Sequence, residues 1–256
     1  MRIMTSNIWG DYFGNPVDVR IDQILSVYRK YSPDILGLQE ITPGWYKSGL
    51  FEALADEYVP VGTEIANNSS YVPFLYKKHL KLLAKGYEYL TGTPDASKAI
   101  TWAVLQEGEA TFAVCNTHFW WKSGPEHDAI RVENAVQLAA LMELLRGRWH
   151  CPVFAFGDMN TTVTSGVFTV YSGHHIRHLW DLAAQKTDIG SHHGDPVKGE
   201  DGFYHGRKTD KPHTGSIDHI VALGDGFIAE AYTVAEDQAA LDATDHSPVY
   251  ADVVIG

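Results

Sequence analysis

Short apolar runs recur along the chain, and most of them end in a polar residue. One run, VFAFGDMN at 153–160, leads four apolar residues of the kinds that strands favour into Gly-Asp-Met-Asn. Its glycine allows a tight turn or a close approach by another backbone. The run therefore predicts a buried strand that presents Asp158 and Asn160 together at its end.

Other segments show the same pattern and predict further strands. Glu107-Gly108-Glu109 separates two of them and indicates a hairpin. A polar loop is expected at 62–70, and the segment 227–234 is predicted to lie at a sheet edge. The predicted strands are 2–8, 35–38, 71–77, 80–89, 99–106, 110–116, 153–156, 216–223, 227–234 and 249–254.

Apolar residues at helical spacing predict helices between these strands. The predicted helices are 18–31, 43–56 and 126–146, with short ones near 165–171 and 178–184. Thr42 is the expected N-cap of the second, which has Pro43 in its first turn. The stripe expected to be buried on the third consists of Val132, Ala135, Val136, Ala139, Met142 and Leu145. Because hairpins mix with helical crossovers, we expect one α/β domain with mixed sheets over 1–256.

Composition narrows the class of partner. The formal net charge of −12 disfavours broad binding to nucleic-acid backbones, which depends on clustered lysine and arginine. A bound divalent cation reverses the local field, so the charge favours a smaller phosphorylated substrate without excluding a nuclease. The two cysteines, Cys115 and Cys151, have no metal-site or disulfide-framework spacing, and we expect free buried thiols.

The sequence shows no apolar leader after Met1 and no run long enough to cross a bilayer. We therefore expect a cytoplasmic protein, with secretion as the alternative if a leader has been removed. No contact with membranes and no obligate protein partner is predicted.

Polar residues of one chemical kind stand at the ends of separate apolar strands. Any one of them is explained by a loop cap, but their recurrence needs a common cause, because an unpaired carboxylate at a sheet end is costly. Carboxylate and amide oxygens suit Mg²⁺, and imidazoles suit a phosphoryl group that develops negative charge. No G-x-S-x-G elbow or glycine-rich phosphate loop offers another chemistry. The residues are Asn7, Glu40, His118, Asp158, Asn160, Asp218, Asp245 and His246.

Six short motifs, running from the first predicted strand to the last, carry a family resemblance. They are N-I-W-G at 7–10, L-Q-E at 38–40, N-T-H at 116–118, G-D-M-N at 157–160, S-I-D-H-I at 216–220 and T-D-H-S-P-V at 244–249. Their combination and order resemble the endonuclease/exonuclease/phosphatase superfamily, which includes nucleases, deadenylases, inositol-polyphosphate phosphatases and sphingomyelinases. The resemblance implies a DNase I-like four-layer α/β sandwich, in which two packed mixed β-sheets are flanked by helices and the site lies at one end.

The resemblance also implies a metal site. Glu40 would be the principal Mg²⁺ ligand, with Asn7 and Asp245 near the ion directly or through water. Mn²⁺ is expected to substitute for Mg²⁺.

Catalytic roles follow from the same motifs. Asp158 would orient or deprotonate the attacking water, and Asn160 would fix that water or a phosphate oxygen. His118 would contact the scissile phosphate. His246, held by Asp218, would stabilise the transition state or act on the leaving side, because a carboxylate behind an imidazole raises its pKa.

The sequence departs from the family pattern at one position. Many members place a glutamate just before the strand that matches 71–76, where it supports the histidine of the N-T-H motif. Ser70 occupies that position here, after Asn67, Asn68 and Ser69. The resemblance therefore does not extend to the protonation state of His118.

Three further residues are candidates for substrate binding. His205 is predicted to line the site, Trp120 to stack on a base or sugar ring, and Arg131 to reach phosphate. The respective alternatives are a loop histidine, a core aromatic and a helix ion pair. The pairs His174-His175 and His192-His193 are interpreted as solvated loop residues.

These observations predict a Mg²⁺-dependent phosphoesterase that attacks a phosphodiester or phosphomonoester in line with an activated water. The absence of clustered cations around the strand ends favours a small or single-stranded substrate. A DNA endonuclease of the DNase I or abasic-site type is the alternative enzyme. A catalytically silent binding module with the same fold is the alternative of another class.

Overall fold

The structure, a computed structural model, describes residues 1–64, 70–94 and 97–256. Asn67, Asn68, Ser69 and most of the predicted loop at 62–70 lie outside the described residues. The described strands overlap every predicted strand, with ends that differ by at most three residues.

The first sheet has seven strands in the described part of the chain. In spatial order they are β10 (Gln185–Lys186), β14 (Phe227–Val234), β15 (Val249–Ile255), β1 (Arg2–Asn7), β2 (Ile35–Gln39), β4 (Phe74–Lys77) and β3 (Tyr58–Val61). Strands β1 and β2 are parallel, whereas β1 and β15 are antiparallel, so the sheet is mixed. The two-residue strand β10 lies outside β14, which is therefore not the edge strand that the sequence predicted.

The second sheet has six described strands. In spatial order they are β5 (Lys81–Tyr89), β6 (Ala99–Glu107), β7 (Ala110–His118), β8 (Val153–Asp158), β13 (Asp218–Leu223) and β9 (Arg177–His178). Strands β7 and β8 are parallel, and their neighbours are antiparallel. A small separate ribbon joins β11 (Val197–Lys198) to β12 (Tyr204–His205).

Helices pack against both sheets. They are α1 (Ile21–Tyr31), α2 (Pro43–Lys47), α3 (Leu50–Leu54), α4 (Pro125–Trp149), α5 (Gly166–Gly173), α6 (Leu179–Leu182) and α7 (Gln238–Ala243). One apolar cluster fills the space between the sheets, where Ile3 and Phe74 of the first sheet meet Phe112 and Phe156 of the second. Two outer clusters join one sheet to α4 and α5 and the other to α1, α2, α3 and α7. The chain therefore has the predicted four-layer α/β sandwich.

Two helix predictions need correction. The helix predicted at 43–56 is broken into α2 and α3 at Gly49, whose φ of 85° is left-handed, and Thr42 makes no side-chain cap. On α4, Val136 is 48% exposed, and Leu138 and Leu141 are buried instead. Among the described residues, no helix has both the length and the apolar character needed to span a bilayer.

Candidate active site

Strand register explains why the polar strand ends meet. Asn7 ends β1 opposite the last residue of β2, which places it beside Glu40. In the other sheet, Asp158 pairs with His118 on one side and with Asp218 on the other. The Asn7 amide joins the two sheets, since it donates to Glu40 Oε1 at 3.2 Å and to Asp158 Oδ2 at 3.0 Å.

Asp158 is buried at this junction, with 1% of its surface exposed. Its Oδ1 accepts the backbone N–H of Asn160 at 2.8 Å. Burial and the nearby charge of Asp218 raise the pKa of Asp158 to about 7. The carboxyl therefore sits between its acid and base forms near neutral pH, as a general base requires.

His246 and Asp218 form a buried ion pair. Nδ1 of His246 donates to Oδ2 of Asp218 at 2.7 Å, and Ser191 Oγ donates to the same oxygen at 2.6 Å. Burial opposes charge on the imidazole, but Asp218, Asp245 and Asp158 raise the pKa of His246 well above its usual value. The ring is therefore a cation whose Nε2 is free to face an anionic group.

His118 is uncharged, unlike His246. Burial, together with the charges of Lys98 and His246, lowers the pKa of His118 well below its usual value. Its Nε2 lies 3.4 Å from Oδ2 of Asp158. Ser70, the residue that departs from the family pattern, has other partners. It donates its backbone N–H to the Tyr46 hydroxyl at 2.9 Å, and its own hydroxyl accepts the N–H of Val72 at 3.1 Å. His118 is therefore a neutral hydrogen-bonding group.

The segment before β15 brings a further carboxylate to the site. Thr244 Oγ1 donates to the Asn7 carbonyl at 2.8 Å, which ties this segment to β1. Burial and the charge of Glu40 raise the pKa of Asp245 to about 6. Asp245 Oδ2 lies 4.0 Å from Nε2 of His246.

His192 also faces this group, and the interpretation of His192 and His193 as solvated loop residues is wrong. The His192 ring packs edge-on against the His246 ring with centroids 4.8 Å apart, and its Nε2 lies 4.0 Å from Asp245 Oδ2. The backbone N–H of His193 donates to the Asp245 carbonyl at 3.1 Å. The 185–200 segment is irregular, so the His192-His193 pair itself was the one feature of the sequence that could have pointed to this contact.

Backbone strain marks the turns that hold the polar side chains. Glu40 and Asn160 are left-handed, with φ values of 61° and 50°, a conformation that non-glycine residues seldom adopt. Gly157 lies inside β8, and a Cβ atom there would meet the Thr117 carbonyl at 1.9 Å. The close backbone approach that the sequence allowed at this glycine is therefore present.

Arg20 organises the loops around the site and was not predicted from the sequence. It is fully buried and donates to five backbone carbonyls, those of Ile8, Trp9, Asn15, Pro16 and Ala243, at 2.8–3.0 Å. Burial lowers its pKa to about 10, so the guanidinium stays charged. It thereby joins the loop that follows Asn7 to the segment that precedes Asp245.

The three predicted substrate contacts are engaged with other partners. Arg131 is buried, pairs with Asp128, and donates to the carbonyls of Trp120 at 2.8 Å and Lys122 at 2.6 Å. Trp120 is 3% exposed and donates to His127. His205 is exposed and pairs with Asp201 at 3.0 Å. Their contact with substrate stays a prediction. Trp121, beside Trp120, is 58% exposed, and Lys122 Nζ lies 5.6 Å from the centroid of its ring.

The donor set fits a hard divalent cation. Asp158, Asp218 and Asp245 surround one imidazolium, and Glu40 is linked to Asp158 through the Asn7 amide. Burial, together with neighbouring carboxylates, raises the pKa values of Asp158 and Asp245. One buried oxygen, Oδ1 of Asp218, has no hydrogen-bond partner among the described residues. Oxygen ligands with surplus negative charge are what Mg²⁺ prefers.

Comparison with protein families gives one match. The sequence model described as Endonuclease/Exonuclease/phosphatase family matches residues 4–246. A comparison with curated proteins finds no sequence match.

Solved structures share the fold over the whole chain. An endonuclease/exonuclease/phosphatase from Bacteroides vulgatus is 21% identical, with a TM-score of 0.80 and coverage of 100% of this chain and 98% of that one. A mannosyl-6-phosphatase from Bacteroides thetaiotaomicron is 19% identical, with a TM-score of 0.80 and full coverage of both chains. The human Nocturnin catalytic domain is 16% identical, with a TM-score of 0.74 and coverage of 100% and 94%.

Proposed function

Because the chain belongs to the endonuclease/exonuclease/phosphatase family, we propose that it is a Mg²⁺-dependent hydrolase of phosphoric esters. One observation carries the proposal. A buried carboxyl with a pKa near 7, Asp158, lies 3.9 Å from the Nε2 atom of a buried imidazolium, His246. The two groups face the same space, where a phosphate can meet a base and a cation together.

The chain's own residues supply the steps of an in-line attack. Asp158 takes the proton of the attacking water, and Asn160, held by its hydrogen bond to Asp158, fixes that water or a phosphate oxygen. His246 offers its Nε2–H to the phosphoryl oxygens as negative charge develops, and the leaving oxygen takes that proton as the P–O bond breaks. His118, which is neutral, donates one hydrogen bond to the scissile phosphate.

Glu40 is the proposed principal ligand of Mg²⁺, with Asn7 and Asp245 beside it. Glu40 Oε2 accepts the Gly10 N–H at 2.8 Å, which fixes the carboxylate's orientation. When bound, Mg²⁺ supplies Lewis-acid stabilisation of the phosphate, and Mn²⁺ is proposed to substitute.

A small or single-stranded phosphoester is the proposed substrate. The chain carries a net charge of −12, and its two buried arginines beside the site loops, Arg20 and Arg131, donate to backbone carbonyls. Neither guanidinium is therefore free to follow a nucleic-acid backbone. The likeness to a mannosyl-6-phosphatase makes sugar phosphates the first class to test.

Hydrolysis of a substrate panel tests the proposal. The panel contains bis(p-nitrophenyl) phosphate, p-nitrophenyl phosphate, sugar and inositol phosphates, single-stranded RNA, an abasic oligonucleotide and plasmid DNA. We expect Mg²⁺-dependent release from a small ester or the RNA, stopped by EDTA and by His246→Ala. Cleavage of duplex DNA alone would establish the endonuclease alternative. No turnover and no Mg²⁺ binding by calorimetry would establish the binding-module alternative.

A further inference from the structure

Apart from the catalytic groups, three polar rings are buried together where the edges of the two sheets meet. His178 ends β9 and His219 lies on β13, both at one edge of the second sheet, whereas Tyr232 lies on β14 of the first sheet. His219 and Tyr232 are fully buried, and His178 is 6% exposed. The proposed function uses none of the three.

Two pairs of ligand-type atoms among these rings have separations that suit a shared ion. His178 Nε2 lies 3.3 Å from His219 Nδ1 and 3.5 Å from the Tyr232 hydroxyl. In a tetrahedral site with metal–ligand bonds of about 2.0–2.1 Å, neighbouring ligand atoms lie about 3.3–3.4 Å apart. Both measured separations are within a few tenths of an ångström of that value.

The second nitrogen of His219 is already held as in a metal site. Its Nε2 bonds to the Thr161 carbonyl at 2.8 Å, which requires the Nε2–H tautomer and leaves the Nδ1 lone pair facing His178. Metal-bound histidines commonly donate their other N–H to a backbone carbonyl in this way. Burial lowers the pKa of His219 to about 4 and that of His178 well below its usual value, so both rings are neutral near pH 7.

We propose that His178 Nε2, His219 Nδ1 and the Tyr232 oxygen form a second metal site, distinct from the carboxylate site and selective for a nitrogen-preferring ion such as Zn²⁺. Imidazole nitrogens and a phenolate favour Zn²⁺ or a related transition metal over Mg²⁺. The bound ion displaces the proton of the tyrosine hydroxyl, which passes to solvent, and the single proton of His178 moves from Nε2 to Nδ1, so that His178 binds as a neutral imidazole.

The surroundings give the ion a route and a fourth ligand. A surface groove of about 900 Å³ is lined by His178, His213 and Trp180. The His213 ring stacks on the His178 ring with centroids 5.1 Å apart, and both of its nitrogens are buried without a hydrogen-bond partner among the described residues. The fourth position is open to water from the groove.

The site joins three parts of the fold. It connects β9 and β13 to β14 of the other sheet and, through Thr161, the turn that carries Asn160. Because unfolded chains lack a preformed site, ion binding here stabilises the folded chain.

Zn²⁺ binding to chelator-treated protein tests the proposal without substrate or Mg²⁺. The host is the double variant Glu40→Gln, His192→Ala, which removes ligands from the catalytic cluster. We expect this host to retain one equivalent of zinc by mass spectrometry and to give the visible absorption of tetrahedral Co²⁺ when loaded with cobalt.

Variants of the three rings distinguish a metal site from a simple hydrogen bond between the two histidines. His178→Gln should abolish retention. Tyr232→Phe, which keeps the ring packing, should weaken Zn²⁺ binding about tenfold or more, whereas His174→Gln on the surface should change nothing. A host that retains no zinc at micromolar Zn²⁺, or a His178→Gln variant that binds as the host does, would overturn the proposal.

Discussion

The buried amide of Asn7 links an acid of one sheet to an acid of the other. It donates to Glu40 and to Asp158 at once, so one side chain fixes the separation of the proposed metal ligand and the proposed base. With burial holding the pKa of Asp158 near 7, this carboxyl combines a fixed position with the basicity that water activation needs.

Replacing Asp158 tests that combination. Asp158→Asn keeps the shape and removes the base, so we expect turnover to fall by roughly 10²–10⁴ with little change in thermal stability. Steady-state kinetics on the preferred panel substrate measures the effect. Asp225→Asn, at an acid whose side chain is 87% exposed, is the matched control, and similar turnover in both variants would exclude Asp158 as the base.

Gly157 is required by packing. Its φ is 151°, and an added Cβ would meet the Thr117 carbonyl of β7 at 1.9 Å. Gly157→Ala should therefore destabilise the fold by about 3 kcal/mol or more, as backbone strain and overpacking add. Gly147→Ala, in the open on α4, should be neutral or stabilise by about 0.5–1 kcal/mol. Urea unfolding of the two variants distinguishes them, and equal stabilities would contradict the clash.

At the scale of elements, the loops around the site depend on one guanidinium. Arg20 precedes α1 and donates to carbonyls on both sides of the site, so five carbonyls depend on a single side chain. Removing one partner of a buried charged network leaves the others unpaired, which is costlier than the loss of the bonds alone.

Arg20→Met should therefore destabilise the fold by about 3–5 kcal/mol. It should also lower turnover, because Asn7 and Asp245 lose the connection between their loops. Arg20→Lys should recover little, since an ammonium has three donors and no planar fork. Arg29→Met, at an exposed position of the same helix, is the control in thermal unfolding. If Arg20→Met were as stable as the control, the loops would not depend on the Arg20 side chain for their positions.

Elements with strong local periodicity could be predicted from the sequence, and so could the polar residues at their ends. The strands that carry Asn7, His118 and Asp158 lie where the apolar runs placed them. Arg20 and His192 could not be found in this way. Their roles arise from loops that cross the site after folding, and irregular segments have no period that reports their neighbours.

The whole molecule concentrates negative charge at the junction of its two sheets. Glu40, Asp158, Asp218 and Asp245 approach one another with His246 as the compensating cation, and the pKa values of Asp158 and Asp245 rise as a result of burial and this crowding. A cation that binds there relieves repulsion in the folded chain alone, because the unfolded chain separates these groups.

Mg²⁺ should therefore raise the melting temperature. At a concentration about 100 times its dissociation constant, a ligand specific for the folded state adds about 2.7 kcal/mol, which corresponds to a rise of about 5–10 °C for a chain of this size. Glu40→Gln removes the proposed principal ligand and should abolish most of that rise. Differential scanning calorimetry with MgCl₂, against KCl at equal ionic strength, separates binding from screening. An equal rise in the wild type and in Glu40→Gln would place the Mg²⁺ ion away from Glu40, whereas an equal rise in both salts would reduce the effect to general screening of a chain with a net charge of −12.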